Sequence, residues 1–179
     1  MVKVIHLLDF RIEKSDTIKT GRFLLFFVFL YLLFSSLFFV FVPLQKMEEF
    51  IAGATLSFLL LTGFQGKLVL QEPVLIQLEN GVGIVISELC TGLMEMFIVA
   101  SAILASIGID WRKRIIGAIA SVILLQAFNF VRIFATLLVI LGNHSLQTIE
   151  FTHNILFRIF LFVVIAGSYI AWFYFSVKK

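Results

Sequence analysis

Cysteine occurs once in these 179 residues, at position 90, so the fold has no internal disulfide. Charge is also sparse: Asp, Glu, Lys and Arg make up 14% of the chain, against 61% hydrophobic residues. That ratio excludes a soluble globular domain, which would expose far more apolar surface than water tolerates. No His, Cys or Asp cluster stands at metal-ligand spacing and no glycine-rich phosphate loop is present, so neither metal nor cofactor is expected. The first apolar run is too long and too well flanked for a removed signal peptide, and no small-residue cleavage site follows it. The formal charge of +3 does not point to nucleic acid, because the basic residues fall where membrane topology would put them.

What is present is apolar length. Twenty-two phenylalanines and a mean hydropathy of +1.09 accompany four runs long enough to cross a bilayer, which takes roughly 20 residues. The expected fold is an all-α polytopic membrane protein, a single integral membrane domain over residues 1–179. Its four transmembrane helices are expected at about residues 23–42, 91–109, 115–141 and 154–175, with a short amphipathic surface helix before the first. Pro43 stops the first span, where a helix loses a donor. Residues 50–64, about 15 apolar positions, suit an interfacial or re-entrant helix better than a span. Charge supports that choice. If 50–64 does not cross, Lys3, Arg11, Lys14, Lys19, Arg22, the run Arg112-Lys113-Arg114 and Lys178-Lys179 all fall on one side, leaving only Lys46 and Lys67 on the other. The positive-inside rule then places both termini in the cytoplasm of a cell-membrane protein.

Residues 67–88 are expected to be external. Within them, residues 74–87 read as a β-hairpin: two apolar strands flank Asn80-Gly81, the pair favoured in a two-residue type I′ turn. The second strand leads into Glu88-Leu89-Cys90-Thr91-Gly92.

Ionisable residues in spans are costly and by default mark function or a helix contact. Three positions stand out, all near the outer face. Cys90 opens the second span, where Thr91 is the expected N-cap, the helix dipole favours thiolate, and Gly92 allows close backbone approach. Arg132 lies in the outer half of the third span. With Gln126 and Asn129 it recurs at three-residue intervals, a polar stripe pointing into the bundle. Its guanidinium can hold a carboxylate or donate to a developing oxyanion. His153 opens the fourth span beside Asn154 and one helical turn before Arg158, and is preferred over His144 as general base to the thiol. Glu95 is expected to pair with Arg132 or Arg158, and Glu88 to be solvated.

Cys90-Thr91-Gly92, Asn129-Phe130-Val131-Arg132-Ile133 and His153-Asn154 together resemble the exosortase/archaeosortase family of membrane cysteine transpeptidases. The resemblance covers about residues 74–160. It implies recognition of exported proteins by a C-terminal sorting signal (a short motif, a transmembrane helix and a basic cluster). It also implies cleavage near the motif and transfer of the new C-terminus to an acceptor, often a lipid. Carried over, Cys90 is the nucleophile, His153 the general acid/base and Arg132 the stabiliser of the tetrahedral oxyanion, with Thr91, Gly92, Asn129, Asn154 and Glu95 in support. The competing reading is a noncatalytic small membrane subunit or transporter component, in which Arg132, Glu95 and Arg158 form a structural network and Cys90 is dispensable.

Overall fold

Phenylalanine and leucine on every side of the first apolar run leave it no polar face to bury, and the helix it forms behaves accordingly. In the computed structural model, which describes residues 14–79, 81–142 and 157–178, helix α1 (Lys14–Phe41) carries broadly exposed apolar side chains such as Leu25, Val40 and Phe41. Such a surface belongs in lipid. The helix starts before the expected residue 23, its membrane-length stretch running Thr17–Phe41, and most of the expected amphipathic segment lies outside the described residues.

After Pro43 the chain enters α2 (Leu44–Leu61), longer than the expected 50–64 segment. It is apolar but carries Lys46, Glu48 and Glu49, and it does not have the composition of a membrane span. Its buried positions, Glu48, Ile51, Ala52, Thr55 and Leu59, recur at helical spacing and form one face. That face packs on a sheet.

The sheet has three strands rather than the expected two: β1 (Gly66–Val69), β2 (Val74–Leu78) and β3 (Gly83–Ile86), antiparallel in the order β1-β2-β3. Alternation in β2 and β3 sends Val74, Ile76, Leu78, Ile84 and Ile86 into one buried cluster with Ile51, Ala52 and Leu59 of α2. The expected two-residue turn is not formed. Leu78 N–H donates to Val82 O (2.9 Å) while Gly81 N–H donates to Leu78 O (3.1 Å), and Gly81 has φ +86°. Gly81 thus sits as a glycine bulge before β3, and Asn80 itself lies outside the described residues.

A 3-10 helix (Glu88–Cys90) leads to α3 (Leu93–Ala105), followed by α4 (Trp111–Leu141) and α5 (Phe157–Val177). Among the described residues three helices, α1, α4 and α5, are long and apolar enough to cross a membrane. The expected second span, residues 91–109, is cut to the 13 residues of α3, because Gly92 (φ +71°) and Gly108 (φ +86°) bend the chain at its two ends. The protein is a multi-pass, predominantly helical membrane protein. Asp110 caps α4 by accepting from Arg112 N–H (3.1 Å).

α1 lies along α3, with Tyr31 Oη donating to Met94 Sδ (3.4 Å) and Phe38 against Phe97 (5.4 Å between ring centroids), and α2 packs on the 3-10 helix that precedes α3. α4 returns along α3, and α5 runs back along α4, with Phe160 beside Phe128 (5.8 Å between ring centroids) and Trp172 beside Lys113. The sheet and Cys90 therefore share one end, while residues 112–114 and Lys178 share the other, where Lys113 Nζ donates to Ser176 O (2.8 Å).

At that basic end Trp172 Nε1 donates to Lys113 O (3.1 Å), and its indole fills the space beside Gly117. A Cβ at Gly117 would fall inside the ring, whereas Gly53 of α2 has nothing within 4 Å of a Cβ. Alanine gains about 1 kcal/mol of helix propensity over glycine, and overpacking costs about 1–3 kcal/mol. Gly53→Ala is expected to raise the thermal unfolding midpoint in detergent and Gly117→Ala to lower it. A rise for both would mean that the α4–α5 contact is loose at Trp172.

Candidate active site

The short motif around the cysteine is a turn whose every residue has a geometric task. Ser87 O accepts from Cys90 N–H (2.8 Å), and Glu88 O accepts from Thr91 N–H (3.0 Å), which closes the 3-10 helix. Thr91 is buried. Its Oγ1 donates to Glu88 O (2.7 Å) and accepts from Leu93 N–H (3.4 Å), tying the end of one helix to the start of the next. Gly92 is the N-cap of α3 in the left-handed region, φ +71°, and a Cβ there would meet Asn129 Cγ at 3.0 Å. Two independent constraints thus require glycine, backbone sign and the approach of Asn129.

This corrects two expectations. The N-cap is Gly92, not Thr91, and Cys90 ends a 3-10 turn rather than opening α3. Cys90 therefore lies outside α3, two residues before its N-cap.

The last carbonyls of a helix have no partner within it. Here α4 supplies them. Asn129 Nδ2 donates to Cys90 O (2.8 Å) and Arg132 Nη2 donates to Leu89 O (2.7 Å). The three-residue spacing of Asn129 and Arg132 puts both on the side of α4 that faces the motif. Gln126, the third member of the expected stripe, does not join them; its buried Oε1 has no partner among the described residues. Arg132 does not pair with Glu95 either. Lys46 pairs with Glu49 on α2 (3.1 Å), and the side chain of Arg158 lies outside the described residues.

One bond to Leu89 O uses one of the five guanidinium N–H groups. Arg132 and Cys90 line the same cavity, about 230 Å³, between β3 and the C-terminal half of α4. Cys90 is partly exposed there, with Ser87 Oγ 4.0 Å from its Sγ. Two of the three motifs thus meet. The third, His153-Asn154, lies outside the described residues, as does His144. The Phe128–Phe160 contact brings the start of α5 to the level of Asn129.

Glu48 was not weighed as a site residue in the sequence, yet it is buried in the first turns of α2, the helix that packs on the 3-10 helix. Burial first, then the neighbouring Glu88 and Glu72 carboxylates, hold its pKa above the ordinary carboxylate value. A signal existed: Glu48 stands three residues before Ile51 and seven before Thr55, on the apolar face of the helix.

A family model, transmembrane exosortase, matches residues 15–172 of the chain. No curated protein and no solved structure matches it.

With the pKa of Glu48 raised, the folded state keeps its proton to higher pH than the unfolded chain. Below the ordinary carboxylate range both states are protonated and Glu48 costs nothing. As pH rises from there through the raised value, the unfolded state ionises first and stability is lost. Glu48→Gln is therefore expected to raise the thermal midpoint near neutral pH, with the difference closing as pH falls below the ordinary range. A difference that does not vary with pH would show that Glu48 is not held in this way.

Proposed function

The chain belongs to the transmembrane exosortase family, and on that premise we propose that it is a membrane cysteine transpeptidase with Cys90 as nucleophile. The observation that carries the reading is the shared cavity: a partly exposed thiol and a guanidinium line it together, on a turn that α4 holds in place. Family membership supports transpeptidation in general. The roles of individual residues are inferred from their chemistry.

In this reading the Cys90 thiol gives its proton to His153 and Sγ attacks the carbonyl carbon of the scissile peptide bond. A C–S bond forms, and the carbonyl electrons move onto oxygen. Arg132 stabilises that oxyanion with the N–H groups not bonded to Leu89, and a charged donor in a site shielded from water is worth most where charge develops. Collapse breaks the C–N bond, and the leaving amine takes the proton from His153. The thioester keeps the acyl group activated, and the nucleophilic group of an acceptor, an amine or a lipid, captures it and releases the thiol.

The substrates are exported proteins whose C-terminus carries a motif, a transmembrane helix and a basic tail. Anchored by its own span, such a substrate is already confined to the plane of the membrane, which lowers the entropic cost of reaching Cys90. The site faces outward and both termini face the cytoplasm. The separation of Cys90 and the sheet from residues 112–114 and Lys178 supports the placement of the site and of the C-terminus. The rival reading, a noncatalytic subunit with an Arg132–Glu95–Arg158 network, is disfavoured because Arg132 and Glu95, both described, form no ion pair.

The test is the C-termini of envelope proteins with a terminal span and basic tail, read by mass spectrometry in cells carrying variant chains. Cys90→Ala and His153→Ala are expected to leave the substrate uncleaved while the chain still inserts. Arg132→Lys, which keeps the charge and loses the planar fork, is expected to slow processing by about 10²–10³. Normal processing by Cys90→Ala would overturn the reading.

A further inference from the structure

Strand β3 runs along the cavity that holds Cys90, and it has β2 on one side and no strand on the other among the described residues. Its pairing fixes which backbone groups are spare. The Leu78 N–H to Val82 O bond sets the phase of the antiparallel ladder. Ile84 and Ile86 then exchange bonds with Ile76 and Val74, while Gly83 and Val85 lie opposite Gln77 and Leu75 as non-bonded pairs. The N–H and C=O groups of Gly83 and Val85 therefore point away from β2, along the open edge.

An open edge is a template for another strand, and proteins ordinarily block it with proline, charge or a covering loop. None of these blocks stands within β3, whose sequence is Gly-Ile-Val-Ile. Glycine in a strand marks a place where another backbone approaches closely. Across the cavity stand Thr136, Leu137 and Ile140 of α4, and the thiol lies four residues beyond the end of the strand. The cavity is therefore a slot with main-chain hydrogen-bonding groups on one wall, apolar side chains on the other, and the nucleophile with Arg132 at one end.

We infer that an extended segment of the substrate adds to the sheet as a fourth strand, pairing its main chain with Gly83 and Val85 so that its scissile carbonyl reaches Cys90. The inference rests on the transpeptidase reading for the identity of the guest. The guest it specifies is an unfolded, extended polypeptide with apolar residues at alternate positions, because successive side chains of a strand point to opposite faces and one face meets α4. Recognition through the main chain tolerates varied side chains, as a sorting enzyme with several clients requires.

The test uses alkylation of Cys90, which needs docking but not catalysis. The probe is an acetyl-Val-Ala-Val-Ala chloromethyl ketone, and the references are chloroacetone and the same peptide with alternate amides N-methylated. In each the thiolate displaces chloride, forming C–S and breaking C–Cl. On the unaltered full chain in nanodiscs the peptide probe is expected to label Cys90 at least about tenfold faster than chloroacetone, the advantage that two main-chain hydrogen bonds supply. N-methylation should remove that advantage. Val85→Pro should remove it too, since proline at this position deletes an outward donor and leaves the ladder to β2 intact, with the iodoacetamide rate unchanged as the check on folding. Equal rates for the peptide and its N-methylated form on the unaltered chain would overturn the inference without any substitution. If the peptide advantage is present while Cys90→Ala still processes substrate, strand docking stands and the catalytic reading fails. The reverse pattern leaves catalysis standing and removes the docking.

Discussion

Two hydrogen bonds from one helix hold the Cys90 turn in place. The 3-10 helix ends with carbonyls that nothing within it can satisfy, and α4 supplies Nδ2 of Asn129 for one and Nη2 of Arg132 for the other. A hydrogen bond contributes about 0.5–1.5 kcal/mol net, so the turn and α4 help to fix each other. The same contact explains the sequence around it. Asn129 approaches so closely that a Cβ at position 92 would meet it at 3.0 Å, and the backbone there has a sign that glycine adopts freely. Thr91 then completes the turn with its hydroxyl.

The sheet depends on neighbours in a similar way. Three strands of four or five residues are marginal alone. One face is closed by α2 and by Ile133 and Leu137 of α4, which join the same buried cluster. Because Ile133 follows Arg132 directly, the residue that holds the turn and the residue that seals the sheet occupy successive positions on α4. A change in the seating of α4 would therefore move the turn and the wall of the cavity together.

Much of this was legible in the sequence, and the parts that were not have definite causes. Apolar length identified the membrane helices, and residue spacing put Asn129 and Arg132 on one side of α4. The partners of Arg132 were not legible. A charge in an apolar run suggests an opposite charge, while the group it meets is a backbone carbonyl that every residue possesses. The length of α3 was missed because hydropathy does not register a left-handed glycine. β1 was missed because Gly66-Lys67-Leu68-Val69 is too short to show alternation, and it becomes a strand through its pairing with β2. Glu48 was passed over as an ordinary charge ahead of an apolar run, though its helical phase placed it on the buried face.

The shortness of α3 bears on the surrounding lipid. Thirteen residues rise about 20 Å, while a hydrocarbon core is about 30 Å thick. Hydrophobic mismatch of this kind is met by thinning of the bilayer or by lateral association. Thinning on the α3 flank would lower the headgroup plane toward the Cys90 turn at that helix's start. Water then meets the Cys90 turn at a depth where the neighbouring α1 and α4 are still surrounded by acyl chains. The local depression, rather than a channel through the bundle, would be the route by which water enters an apolar protein.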